Sequence, residues 1–87
     1  MRKLLYFHAS WCGPCKMVDR EFLSKVEAEV NPEQIVRIDA QNEAVTADKY
    51  GVDKLPTTII LDGDRVVFKK WGGFDVKEVI KLLNDNS

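Results

Sequence analysis

The chain has 87 residues, 45% of them apolar and 31% charged, with 13 Lys and Arg set against 14 Asp and Glu. That is enough for one small hydrophobic core and too little for two, so residues 1–87 are read as a single globular domain, and a disordered chain is excluded. A net charge of −1 creates no field that would gather nucleic acid or an anionic membrane surface, and neither is expected as a partner.

The elements follow in order. Leu4 to Phe7 is a continuous apolar run, the pattern of a strand buried on both faces of a sheet. From Cys12 on, Met17, Val18, Phe22, Val26 and Val30 recur at roughly helical spacing until Asn31-Pro32 stops them. Ile35 to Ile38 is a second strand, and Asn42 offers an N-cap for a short helix carrying Ala44, Val45, Ala47 and Tyr50, ended by Gly51. Thr57 to Leu61 and Val66 to Phe68 are two antiparallel strands joined at Asp62-Gly63. Asp75 caps a last helix, with Phe74 placed to staple against Val79 and Val76, Val79, Ile80 and Leu83 as its buried stripe. The order β-α-β-α-β-β-α, with right-handed crossovers in its parallel part, predicts an α/β fold with a four-stranded mixed sheet and helices on both faces.

Only two cysteines occur, Cys12 and Cys15. A bridge between them would close too short a loop to restrain the unfolded chain, so they are not a scaffold. A lone C-x-x-C beside β-α-β patterning reads as a redox motif in a reducing compartment. Met1-Arg2-Lys3 is a basic head, but the apolar run behind it falls short of the roughly 7–15 residues of a signal-peptide core. No stretch approaches the roughly 20 apolar residues of a membrane span, so a cytoplasmic location is expected.

Thiol–disulfide exchange needs a thiol ionised near neutral pH and a second thiol in reach. A cysteine at a helix N-terminus has its thiolate stabilised by the unpaired N–H groups, which makes Cys12 the nucleophile. Cys15, one turn on and on the same side, is the neutral resolving thiol. Pro14 falls in the first turn, where its missing N–H costs least.

Ala9-Ser10-Trp11-Cys12-Gly13-Pro14-Cys15-Lys16-Met17 resembles the active-site segment of the thioredoxin family, and the likeness continues through Tyr50-Gly51-Val52, Leu55-Pro56-Thr57 and Gly72-Gly73. The resemblance covers nearly the whole chain and implies a thioredoxin fold without the family's N-terminal β-α extension. It makes Pro56 a cis-proline facing the cysteines. Trp11, Gly13, Pro14, Leu55, Pro56, Trp71, Gly72 and Gly73 become the surface that accepts partner proteins. The implied protein is an electron carrier in cell redox homeostasis: a protein-disulfide reductase cycling between the Cys12/Cys15 dithiol and a redox-active disulfide. It would bind no cofactor and no metal, be reset by a thioredoxin reductase, and be a monomer. Gly13-Pro14 between the cysteines resembles reducing members of the family. A glutaredoxin-like, glutathione-linked reductant and a thioredoxin-fold binding module in a larger complex are the alternatives.

Four positions concern proton handling. The family usually has a buried Asp before the motif and a Lys across from it; here Tyr6 and Arg37 stand there. Losing the carboxylate removes a charge that would raise the thiol pKa values, and an inward Arg37 would lower them, so Cys12 is expected to ionise at least as readily as in a typical thioredoxin. His8, the single histidine, occupies the place of a second Trp, and Lys16 follows the motif directly. Arg20 replaces a Pro that often kinks the first helix, which is therefore expected to run straighter. Asp19-Arg20-Glu21 reads as a solvated face.

Overall fold

The structure, a computed structural model, describes residues 1–85. Strand β1 (Arg2–His8) leads into helix α1 (Gly13–Val18), a π-helical segment (Asp19–Leu23) and α2 (Ser24–Glu27). A 3₁₀ turn (Pro32–Gln34) precedes β2 (Ile35–Asp39), followed by α3 (Ala44–Lys49), β3 (Thr57–Asp62), β4 (Arg65–Trp71) and α4 (Val76–Asn84). The four-stranded sheet has the order β2-β1-β3-β4; β1 and β2 are parallel, and β3 is antiparallel to both β1 and β4. The mixed sheet and the element order expected from the sequence are those found.

β1 is central, which is why its Leu4–Phe7 run is buried on both faces. Its alternation divides the core: Leu4 and Tyr6 pack with Val18, Leu23, Val26, Val79 and Leu83 under α1, α2 and α4. Leu5 and Phe7 pack on the opposite face with Ile38, Ile59 and Ala47 of α3. Helices thus cover both faces. The buried Gln34 amide donates to Arg2 O at 3.0 Å and Leu83 O at 2.9 Å, tying the 3₁₀ turn to β1 and α4. Asp75 accepts from Glu78 N–H and Phe74 is buried beside Val79, as the capping pattern predicts.

Four local expectations meet a different outcome. Around Arg20, where the Pro is missing, the helix does not continue as regular α-turns but passes through a π-helical segment. The Ser24 N–H reaches back to Asp19 O, and the Ser24 hydroxyl donates to Arg20 O at 2.6 Å, the carbonyl an α-turn would have paired with that N–H. Asn42 does not cap α3; Glu43 holds that place without a side-chain bond, since Asp39 accepts from Gln41 N–H, Asn42 N–H and the Asn42 amide. The β3–β4 turn centres on Gly63-Asp64, with Asp62 paired to Arg65 and Gly63 at φ 62°. Met17, read as part of the apolar stripe, is half exposed.

Candidate active site

The chain leaves β1 at His8 and re-enters regular structure at Gly13, and the short connection delivers Cys12 to the N-cap of α1. Its backbone is extended there (φ −92°, ψ 100°), its N–H donates to Ala9 O at 3.1 Å, and its Sγ accepts the Cys15 N–H at 3.2 Å. Pro14 sits in the first turn, where its lack of a donor is harmless. Cys12 and Cys15 form a disulfide with their Cα atoms 5.3 Å apart. In this oxidised state both are buried, Cys12 at 5% exposure and Cys15 at 2%. Cys12 is thus only marginally more open than Cys15. Trp11, Gly13 and Pro14 around Cys12 are exposed.

The loop before β3 meets this motif from the other side. The Leu55-Pro56 peptide is cis, and Leu55 packs on Ala9, Cys12 and Cys15. Pro56 itself is buried, and its carbonyl accepts the Gly72 N–H at 2.9 Å. Gly72 has φ +83°, which strains any residue with a Cβ. Trp71 is 60% exposed; its Nε1–H donates to Leu55 O at 3.4 Å and the Lys54 ammonium lies 4.8 Å from its ring centre. Gly73 has a packing reason to be glycine, because a Cβ there would come within 2.9 Å of the Phe22 ring.

Beneath the motif lies a polar cluster. The Tyr6 hydroxyl, fully buried, donates to Cys15 O at 2.5 Å. Burial, then the negative charge of Asp19, pushes its pKa up to about 12, so it remains a neutral donor at physiological pH. Arg37 neighbours Tyr6 in the β1–β2 register. It does not turn to the cysteines: Nε and Nη2 donate to Asp19 at 2.9 Å each, and Nη1 and Nη2 to Glu27 at 2.9 and 3.1 Å. These charge-assisted bonds push the guanidinium further up and hold the Glu27 carboxyl below its usual range. The expectation that Arg37 would lower the thiol pKa values by pointing inward therefore loses its premise. His8 is half-buried and stacks on Tyr6, ring centres 6.0 Å apart. A cavity of about 110 Å³ lies among Tyr6, His8, Cys15, Lys16 and Asp19.

Asp19 was legible only as part of a solvated charge run. It stands four positions after Cys15 on one helix, the spacing that puts two side chains on one face, and that signal could have drawn it to the site. Among the described residues no group of three His, Cys, Asp or Glu is placed to hold a metal ion.

A C-x-x-C disulfide at a helix N-terminus, packed against a cis-proline loop on a β2-β1-β3-β4 sheet, defines a thiol–disulfide oxidoreductase. The family model described as Thioredoxin matches residues 1–85. The chain is 36% identical to the thioredoxin of Chlamydia caviae, over 97% of this chain and 81% of that one, and 40% identical to that of Bacillus subtilis, over 88% and 73%. The Fasciola hepatica thioredoxin structure superposes with a TM-score of 0.81 at 26% identity, covering 95% of this chain and 81% of that one. This chain belongs to the thioredoxin family.

Proposed function

We propose that this oxidoreductase works as a cytoplasmic reductant, an electron carrier that takes electrons from a thioredoxin reductase and passes them to disulfides of partner proteins. The observation that carries the reading is the Cys12 sulfur, N-cap of α1 and acceptor of the Cys15 N–H, held against the Leu55-Pro56 loop. The same N–H and the neighbouring unpaired donors stabilise a Cys12 thiolate once the pair is reduced. That thiolate attacks one sulfur of a partner disulfide, and the partner's other sulfur leaves. Cys15 then attacks the Cys12 sulfur, closing the Cys12–Cys15 bond and releasing the partner reduced. Direction follows from Gly13-Pro14: no titratable group stands between the cysteines to stabilise the reduced form further, as a strong oxidant needs.

The proposed docking surface is the exposed Trp11, Gly13, Pro14 and Trp71 with the partly exposed Leu55, Gly72 and Gly73, while the buried Pro56 shapes it through the backbone of its loop. The chain acts as a monomer and binds no cofactor. No helix of the described residues is long and apolar enough to cross a membrane.

Reductase-coupled reduction of insulin tests the reading. Turnover with thioredoxin reductase and NADPH is expected; turnover with glutathione alone would favour a glutathione-linked carrier. Biological activity retained by the double variant Cys12→Ser/Cys15→Ser would favour a binding module.

A further inference from the structure

Resting on the exchange chemistry above, the structure leaves one step without an owner, because Cys15 must lose a proton before it can attack. Tyr6, standing where the family keeps its acid, is a donor already engaged with Cys15 O. Both Asp19 oxygens are taken by the Arg37 guanidinium. Lys16 is exposed to solvent rather than held in the cavity. Across the β1–β2 register His8 faces Asp39, whose oxygens accept from the turn that follows β2. What remains on the cavity beside Cys15 is the His8 imidazole, half-buried, held flat against Tyr6 and in no hydrogen bond among the described residues.

We propose that His8 is the proton acceptor for Cys15, acting across this cavity, whose volume of about 110 Å³ leaves room for a bridging water. In the mixed disulfide the Cys15 S–H proton passes through that water to the unprotonated ring nitrogen of His8. The Cys15 thiolate attacks the Cys12 sulfur. The Cys12–Cys15 bond forms as the bond between Cys12 and the partner sulfur breaks, and the electron pair leaves with the partner as a thiolate. The imidazolium then returns its proton to that thiolate or to solvent. Two protein thiols are oxidised and one partner disulfide is reduced. An imidazole suits the task because its ordinary pKa, about 6.5, lies close to neutrality. The proton route has thus moved along β1, from the position of Tyr6 to that of His8 on the same face.

Reduced protein mixed with 5,5′-dithiobis(2-nitrobenzoate) separates the two steps, since Cys12 attack releases one coloured thiolate and Cys15 attack the second. His8→Asn is expected to slow the second phase at least about tenfold at pH 7 and to leave the first unchanged. The difference should fade above about pH 9, where a thiol ionises unaided. A second phase equal to wild type across the pH range, or equal slowing of both phases, would overturn the proposal. Should His8→Asn fail to fold, wild-type NMR titration decides: the His8 ring is expected to titrate at different midpoints in the dithiol and disulfide forms, and identical curves would overturn it. Wild-type protein showing no first phase would instead sink the exchange reading itself.

Discussion

At the scale of single residues, Tyr6 does two jobs: its ring fills the core under α1 and its hydroxyl fixes the Cys15 carbonyl. Its raised pKa has a consequence for stability. An unfolded Tyr ionises near 10, whereas the folded one holds its proton to about 12. The unfolded chain therefore binds fewer protons in that window, and the stability tied to Tyr6 is complete below pH 10 and lost as pH rises from 10 towards 12. Tyr6→Phe should cost about 1 kcal/mol at pH 7, since Cys15 O keeps the Asp19 N–H as a donor, and should flatten that alkaline loss. Urea unfolding at pH 7 and pH 11 checks it; an unchanged alkaline slope would remove Tyr6 from the explanation. Arg37 gives the acid side. Its bonds depress the folded pKa of Glu27, so their stabilisation is present above the ordinary carboxylate range and lost as pH falls through the folded value. Because all three side chains are about one-third exposed, Arg37→Met should cost only about 1 kcal/mol at neutral pH, and less in high salt. Thermal melts at pH 7 and pH 3 should show the variant and wild type converging at the lower pH.

At the scale of elements, the break in the first helix matters more than its caps. Leu23 closes the π-helical segment and is buried with Val26 of α2, while Phe22 meets the Phe74 ring, centres 5.7 Å apart, and lies under Gly73. The segment that follows the cysteine helix is thereby locked to the strand–helix connection beside Gly72, on the cis-proline side. Gly73→Ala should push on the Phe22 ring and cost about 1–3 kcal/mol, read as a drop in denaturation midpoint without a change in slope. No loss would mean that the ring moves freely aside. A π-helical turn has no period of its own in a pattern of apolar residues, so the sequence could signal only that a Pro was missing near Arg20. Asn42 misled for a related reason: a side chain that can cap a helix also suits a turn, and Asp39 captured it first.

At the scale of the molecule, the architecture was legible because β1 is apolar on both faces, Gly51 and Asp75 punctuate the helices, and the C-x-x-C with Leu55-Pro56 marks the site. The Asp19–Arg37–Glu27 cluster was not. It joins side chains from three segments, 18 and 10 residues apart in sequence, and such pairings follow from packing rather than from local pattern. The site is arranged accordingly: Cys12 stands at the helix N-terminus, Cys15 borders the cavity on the sheet side, and Leu55 of the cis-proline loop packs on both, a placement from which the proposed division of labour follows. The most direct test of that division is mass spectrometry of Cys15→Ser after mixing with an oxidised protein substrate such as insulin. A stable covalent adduct on Cys12 is expected, with none on Cys12→Ser. An adduct on Cys15 of Cys12→Ser, with Cys12 of Cys15→Ser left free, would contradict the account.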